Sequence, residues 1–108
     1  MLEVTDKNFK EEVENFEGTV FVDFWASWCG PCKVMLPTFE KLAEAYSSPD
    51  AKFVKYEAGA EDCSDALRKY SINGVPTFIA FKPGQEPVKM VGVGDLEGFV
   101  KRNLGKDD

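Results

Sequence analysis

Histidine is absent from the chain, and its absence removes several chemistries at once. Without an imidazole there is no Ser-His or Cys-His nucleophile pair, no imidazole general base and no histidine ligand for a metal ion. A reactive group in this protein must therefore be a thiol, a carboxylate or an amine.

Cysteine is scarce, with three residues in a chain of 108. Small disulfide scaffolds use four or more cysteines to replace a core that the chain cannot build, so this class is excluded. The hydrophobic fraction of 44% is enough for one core. Length and composition together predict a single domain over residues 1–108.

Long apolar runs are also missing. No stretch approaches the roughly 20 residues that would cross a bilayer, and residues 1–6 lack the basic start and apolar run of a signal peptide. The net charge of -6 would repel nucleic acid and anionic lipid. We therefore expect a cytoplasmic protein that binds neither nucleic acid nor membranes.

Hydrophobic periodicity predicts strands alternating with helices. The predicted strands cover residues 19–25, 51–58, 77–81 and 88–91, and the predicted helices cover residues 6–16, 31–46, 62–70 and 95–103. Crossover helices favour parallel pairing in the first half, and the turn-rich residues 82–87 favour an antiparallel hairpin. The predicted fold class is α/β, a central mixed sheet with helices on both faces.

Three local features accompany this pattern. Thr5 or Asp6 is available to cap the first helix. Pro37 is expected to kink the second helix without ending it. Residues 105–108 are expected to form a solvated tail.

Two thiols, Cys29 and Cys32, lie three positions apart where the first long strand passes into a helix. Residues i and i+3 share one side of a helical turn, so these sulfurs can close a disulfide. Cys29 lies nearest the unpaired amides and the positive end of the helix dipole, which favour a thiolate. We expect Cys29 to attack, and Cys32 to be more shielded and to resolve the mixed disulfide.

The residues between the thiols restrict this loop. Pro31 fixes φ at an early helical position, and Gly30 allows a partner chain to approach closely. The alternative interpretation of the cysteine pair is half of a zinc site. That site needs two more ligands, and only Cys63 remains, so no metal is predicted.

With these features the sequence resembles the thioredoxin family over essentially the whole chain. The resemblance is carried by Asp23-Phe24-Trp25-Ala26-Ser27-Trp28-Cys29-Gly30-Pro31-Cys32-Lys33, by Pro37, by Val75-Pro76-Thr77, and by Gly84 and Gly92. It implies a thioredoxin fold and a protein-disulfide reductase that passes two electrons from the Cys29–Cys32 dithiol to client proteins. It also implies a monomer with no bound cofactor, whose disulfide is reduced by a thioredoxin reductase using NADPH.

The same resemblance implies a docking surface for clients. Pro76 is expected to be a cis-proline against the disulfide, and Val75 is expected to offer backbone hydrogen bonds to a client strand. The remainder of this shallow apolar surface is expected to comprise Trp28, Gly30, Pro31 and Gly92. The alternative for the segment around Val75 is a plain turn before a strand.

Asp23 is an isolated carboxylate in an apolar strand, which is unfavourable unless it is neutral or partnered. Desolvation should raise its pKa. The resemblance implies that Asp23 relays a proton with Cys32, whereas a capping or edge role is the alternative. Lys55 is the candidate partner of Asp23, but a different alignment places Glu57 there; the Lys55 alignment implies extra residues at Gly59 and Ala60.

Cys63 lies at the start of the predicted third helix, where some animal thioredoxins also carry an extra cysteine with suggested regulatory roles. The alternative is a small unreactive core residue. Glu61, Asp62 and Asp65 are expected to disfavour its thiolate.

Two other functions remain open. Residues 5–9 and 37–43 also resemble protein-disulfide-isomerase domains, although isomerases usually carry a histidine between the cysteines where this chain has Gly30-Pro31. A redox-switched adaptor is the second alternative. Its partner binding would survive replacement of Cys29 by Ser.

Overall fold

The computed structural model describes residues 1–106; the part of the predicted tail at Asp107 and Asp108 lies outside the described residues. Its strands are β1 (Leu2–Glu3), β2 (Thr19–Trp25), β3 (Ala51–Glu57), β4 (Thr77–Phe81) and β5 (Val88–Val91). Its α-helices are α1 (Gly30–Tyr46), α2 (Asp65–Lys69) and α3 (Leu96–Asn103). A short π-helical segment, Lys10–Glu14, precedes β2.

The strands form one mixed sheet in the order β1-β3-β2-β4-β5. The β1–β3 and β2–β3 pairs are parallel, whereas β2–β4 and β4–β5 are antiparallel. The predicted parallel first half and the predicted hairpin are therefore confirmed. β2 lies in the middle, as its apolar composition requires, and its residues 20–24 are buried.

Successive residues of β2 point to opposite faces of the sheet, and each face is covered. On one face, Val22 and Phe24 pack with Phe9, Val13 and residues of α2. On the other face, Phe21 packs with aromatic residues of α1, α3 and the neighbouring strands. The prediction of helices on both faces is confirmed, and α1 covers the face to which Asp23 belongs.

The first predicted helix differs from the prediction. Instead of spanning residues 6–16, the helical segment is Lys10–Glu14, closed by an i→i+5 hydrogen bond of 2.8 Å from the Asn15 amide to the Lys10 carbonyl. No side chain caps it. Of the three apolar residues at helical spacing in this segment, Phe9 and Val13 are nevertheless buried, and Phe16 is partly buried against the same core cluster.

Asp6 caps α2 rather than the helix that follows it in sequence. Its carboxylate accepts the backbone N–H groups of Ser64 and Asp65 at 2.9 Å and of Ala66 at 3.2 Å. It also accepts the Tyr56 hydroxyl at 2.7 Å. The expected capping role of Asp6 was therefore assigned to the wrong helix. The backbone amides that donate to the Asp6 carboxylate lie 58 to 60 residues later in the chain.

Element boundaries differ elsewhere in small ways. α1 continues through Pro37 and ends before Ser47, as predicted. α2 covers Asp65–Lys69 rather than the whole of residues 62–70. β1 was not predicted. Within residues 1–106, no helix combines the length and apolarity that a membrane crossing requires.

Candidate active site

The cysteine pair lies at the carboxyl end of β2, where the chain enters α1. Cys29 is the N-cap residue of α1, and its Sγ accepts the Cys32 backbone N–H at 3.1 Å. The first amides of a helix have no partner within the helix, so the sulfur takes the place usually filled by a serine or aspartate oxygen. Cys29 and Cys32 are joined as a disulfide with a Cα–Cα distance of 5.3 Å.

The structure does not distinguish the two cysteines by residue burial. Cys32 was expected to be more shielded than Cys29, but each residue is 3% exposed in the disulfide state. Cys29 is covered because Val75, from the distant loop before β4, packs against it. Its Sγ lies 3.7 Å from the Val75 carbonyl oxygen.

The loop beside the disulfide is held by backbone geometry. The Val75–Pro76 peptide bond is cis, as the resemblance implied. Pro76 is buried, and its carbonyl accepts the Gly92 N–H at 2.8 Å. Gly92 has φ of 82°, a value that favours glycine, and it directly follows β5, whose last residue, Val91, pairs with Thr77 at the start of β4.

The surface around the disulfide is apolar and open. Trp28 is 77% exposed, and Gly30 and Pro31 are exposed beside it. A cleft of about 200 Å³ lies next to this exposed surface, and its lining comprises Trp28, Ala58, Leu67, Ile72, Asn73, Gly74 and Val75. Sequence reasoning missed the lining residues outside the motif, because no local pattern shows which residues of α2 and the following loop turn toward Trp28.

Asp23 is 1% exposed in the middle of the sheet. It lies opposite Lys55 on β3 and Phe78 on β4, and its Oδ1 has no hydrogen-bond partner within the described part of the chain. Burial raises the pKa of Asp23 to about 7; the positive charge of Lys55 opposes this rise and the negative charge of Glu3 adds to it. The carboxyl group therefore exchanges its proton near neutral pH.

The register of β2 and β3 distinguishes the two candidate partners. Lys55 is opposite Asp23, whereas Glu57 is opposite Trp25. Residues Gly59 and Ala60, which the Lys55 alignment treats as extra, form a turn after β3 in which the Cys63 amide donates to Ala60 at 3.0 Å. The extra residues are thus accommodated outside the strand.

Lys55 has an ion-pair partner that sequence reasoning missed. Its Nζ lies 3.2 Å from Glu3 Oε2 and 5.2 Å from the centroid of the Trp25 ring. Glu3 belongs to β1, a strand of two residues that carries no pattern of its own. Only the sheet pairing brings Glu3 next to Lys55.

Cys63 is 2% exposed, and its Sγ lies 4.0 Å from the Val4 carbonyl oxygen. Burial, followed by the negative charges of Asp6, Glu57, Asp62 and Glu3, raises the pKa of the thiol to about 11. Asp62, one of the three acids that were expected to act on this thiol, is among these charges. The other charges reach it from β1, β3 and the loop after β1. Among residues 1–106, no group of three or more Cys, Asp or Glu side chains is placed to hold a metal ion.

Comparison with known proteins gives a consistent result. The thioredoxin family profile matches residues 1–103. Thioredoxin C-2 of Corynebacterium nephridii is 36% identical over 96% of each chain. Thioredoxin Asp f 29 of Aspergillus fumigatus is 38% identical over 94% of this chain and 93% of its own, and the thioredoxin of Mycoplasma genitalium is 42% identical over 76% of each.

These matches agree with the disulfide at the start of α1 and with the mixed sheet that carries it. They favour neither the isomerase-type alternative nor the adaptor alternative. The chain therefore belongs to the thioredoxin family, and it is a thiol-disulfide oxidoreductase that reduces protein disulfides through the Cys29–Cys32 pair.

Proposed function

We propose that Cys29 is the attacking sulfur and Cys32 the resolving sulfur of this reductase. The observation that carries the proposal is the hydrogen bond from the Cys32 amide to Cys29 Sγ at the N-terminus of α1. A helix N-terminus stabilises negative charge, so it lowers the free energy of the Cys29 thiolate. Cys32 Sγ has no equivalent place at the cap.

The proposed reaction has two exchange steps. The Cys29 thiolate bonds to one sulfur of a client disulfide, and the other client sulfur leaves as a thiolate that takes up a proton. The Cys32 thiolate then bonds to Cys29 Sγ, and the second client sulfur leaves. The client gains two electrons and two protons, and the protein ends with the Cys29–Cys32 disulfide.

Asp23 is proposed to accept the Cys32 proton during the second step. A proton acceptor works best when its pKa is close to the operating pH, and the pKa of about 7 for this buried carboxyl meets that condition. Its unpartnered Oδ1 supports the same role, since a polar atom satisfied by a permanent partner would be a poorer acceptor. Lys55, opposite Asp23, is proposed as its electrostatic partner.

Clients are proposed to dock on the apolar rim that surrounds the disulfide. Trp28, Gly30 and Pro31 supply its exposed part beside Cys29. Val75, Pro76 and Gly92 supply the opposite side, where Val75 would offer backbone hydrogen bonds to an extended client segment.

The proposed electron donor is a thioredoxin reductase that uses NADPH, and the proposed clients are disulfide-containing proteins. Residues 1–108 are proposed to act as one monomeric domain in the cytoplasm. A dithiol that reduces other proteins suits a compartment where thiols are kept reduced. The name thioredoxin, shared by the bacterial relatives, supports the same partners.

Cys63 is proposed as a core residue, with regulation as the alternative. Its burial and its raised pKa support the core role, because oxidation requires an accessible thiolate.

The test is insulin-disulfide reduction with NADPH and a thioredoxin reductase. The unaltered protein should accelerate reduction, Cys29→Ser should abolish the acceleration, and Cys32→Ser should accumulate a covalent complex with insulin through Cys29. Activity retained by Cys29→Ser would contradict the assignment. A measured reduction potential of roughly -180 mV for the Cys29–Cys32 disulfide would favour the isomerase alternative.

A further inference from the structure

Three charged side chains lie in one row across three neighbouring strands. Glu3 on β1 is paired with Lys55 on β3, and Lys55 is paired with Asp23 on β2. Residues paired in a parallel sheet project from the same face, about 4.8 Å apart from strand to strand. Lys55 therefore lies between two carboxylates that compete for its ammonium group.

Lys55 makes its ion pair with the outer carboxylate. Its Nζ is 3.2 Å from Glu3 Oε2, and the Trp25 ring lies 5.2 Å from the same nitrogen. Oδ1 of Asp23, in contrast, is buried and accepts no hydrogen bond from any of residues 1–106. The Lys55 side chain is 16% exposed and that of Glu3 is 47% exposed, so this pair lies at the edge of the sheet rather than at its centre.

Among residues 1–106, Lys55 and Glu3 are the charges that act on Asp23, and its other neighbours are apolar. β4 places Phe78 opposite it, and α1 contributes Met35 and Phe39 to the apolar cluster on this face. Glu57 lies further along β3, opposite Trp25. The charges that act on the Asp23 carboxyl are those of Lys55 and Glu3.

We propose that Glu3 is a positioning residue for proton transfer, which holds the Lys55 ammonium toward β1 and so keeps the Asp23 carboxyl free of an ion-pair partner. The role of Asp23 as proton acceptor is the proposed function on which this inference rests. Without Glu3, the ammonium is free to turn toward Asp23. Both the lost negative charge and the nearer positive charge would stabilise the Asp23 carboxylate and lower its pKa.

The first test measures Asp23 directly, by NMR titration of its carboxyl carbon in the oxidised protein, where Cys32 does not titrate. Glu3→Gln should lower the proton affinity of Asp23 by about threefold, the size expected for one partly screened charge. Glu97→Gln removes the same charge from the surface pair with Lys101 and should leave the titration unchanged. Glu3→Asp retains the negative charge, so the Asp23 titration of this variant should stay close to that of the unaltered protein.

The second test asks whether Glu3 acts through Lys55. In a Lys55→Met background, Glu3→Gln should change the Asp23 titration clearly less than it does in the unaltered protein, because there is no ammonium to release. An equal change in both backgrounds would show that Glu3 acts only through space and would overturn the positioning role. An unchanged titration in Glu3→Gln, or a shift to higher pH, would also overturn it.

The kinetic test separates this inference from the proton relay. Thionitrobenzoate release from an aromatic disulfide reports attack by Cys29 and resolution by Cys32 as two phases. At pH values below the midpoint of the wild-type Asp23 titration, the phase in which Cys32 resolves the mixed disulfide should be up to about threefold faster in Glu3→Gln. The reason is that a larger fraction of Asp23 is ionised in this variant. If the NMR shift appears but Asp23→Asn does not change the pH dependence of resolution, the relay fails and the positioning of Lys55 stands.

Discussion

The Cys29 sulfur lies 3.7 Å from the carbonyl oxygen of Val75, a residue 46 positions later in the chain. Antiparallel pairing of β2 with β4 creates this contact, because it sets Phe24 opposite Thr77 and so brings the loops beyond them together. The cysteine motif provides the two sulfurs of the disulfide, while the sheet provides the neighbouring segment of the proposed docking surface.

Asp23→Asn should alter how stability depends on pH. The pKa of Asp23 is about 7 in the folded protein against an ordinary value of 3.8, so between these pH values the folded state retains a proton that the unfolded state releases. Wild-type stability should therefore fall as the pH rises from about 4 to about 7, by a free energy on the order of 4 kcal/mol, and should level off above that window.

Urea denaturation of the oxidised protein at several pH values measures this effect. The Asp23→Asn variant should lack the fall, whereas the surface variant Asp50→Asn should retain it. Identical pH dependence in wild type and Asp23→Asn would contradict the raised pKa.

Trp28→Ala should weaken client docking without weakening the fold. Trp28 is 77% exposed, so the free energy of unfolding should change by less than about 0.5 kcal/mol. Loss of this aromatic side chain from the proposed docking surface should raise the KM for insulin by about fivefold or more. Val88→Ala, which removes an exposed valine from β5, is the matched control. An unchanged KM would remove Trp28 from the docking surface.

Cys63 should resist alkylation in the native reduced protein. Its burial and its pKa of about 11 leave few accessible thiolates at about pH 8, whereas Cys29 should react readily. Peptide mass mapping after iodoacetamide treatment identifies the modified residue, and denatured protein provides the positive control. Reaction of native Cys63 at a rate comparable to that of Cys29 would favour the regulatory alternative.

Asp6→Ala should destabilise the protein by about 1–2 kcal/mol, because the amides at the start of α2 and the Tyr56 hydroxyl lose their acceptor. Asp95→Ala, which removes one cap bond of 3.0 Å to the Gly98 amide, should have a smaller effect. Chemical denaturation compares the two variants. Equal losses would indicate that the additional bonds of Asp6 contribute little.

The same carboxylate predicts a weakening of the fold in acid. Burial opposes ionisation of Asp6, but the backbone N–H groups of Asp65 and Ser64 and the Tyr56 hydroxyl outweigh it and lower the pKa. The stabilisation is thus fully present above the ordinary pKa and is lost as the pH falls through the lower folded value. Asp6→Ala should lack this acid-dependent loss.

Local patterns predicted the central part of the fold well. The run Thr19–Trp25 is apolar except for Thr19 and Asp23, so its position as a central strand followed from its residues alone. β1 could not be predicted in this way, because two residues show no period. It is a strand only because the edge of β3 provides hydrogen-bond partners for it.

The first helix shows a different limit. Its apolar spacing predicted which side chains are buried, but not the length or the hydrogen-bond pattern of the segment Lys10–Glu14. Asp6 was expected to stabilise its start. Three-dimensional proximity to α2 determined the actual partners of that carboxylate.

The predictions about the site also succeeded for local features and failed for contacts between strands. The spacing of Cys29 and Cys32 was sufficient to predict a disulfide at a helix start. The partner of Asp23 depended on the register of β3, which neither alignment could decide, and the contact of Lys55 with Glu3 depended on a strand that had no pattern. Contacts between residues on strands that are distant in sequence therefore could not be predicted from local sequence patterns.

β2 is hydrogen-bonded along both edges, to β3 and to β4. Its amides should therefore exchange with deuterium only when the whole molecule unfolds, whereas the short α2 and the chain end at β1 can open independently. The redox centre is thus attached to the part of the molecule that we expect to exchange most slowly, so local opening elsewhere should leave the two sulfurs in place during repeated oxidation and reduction.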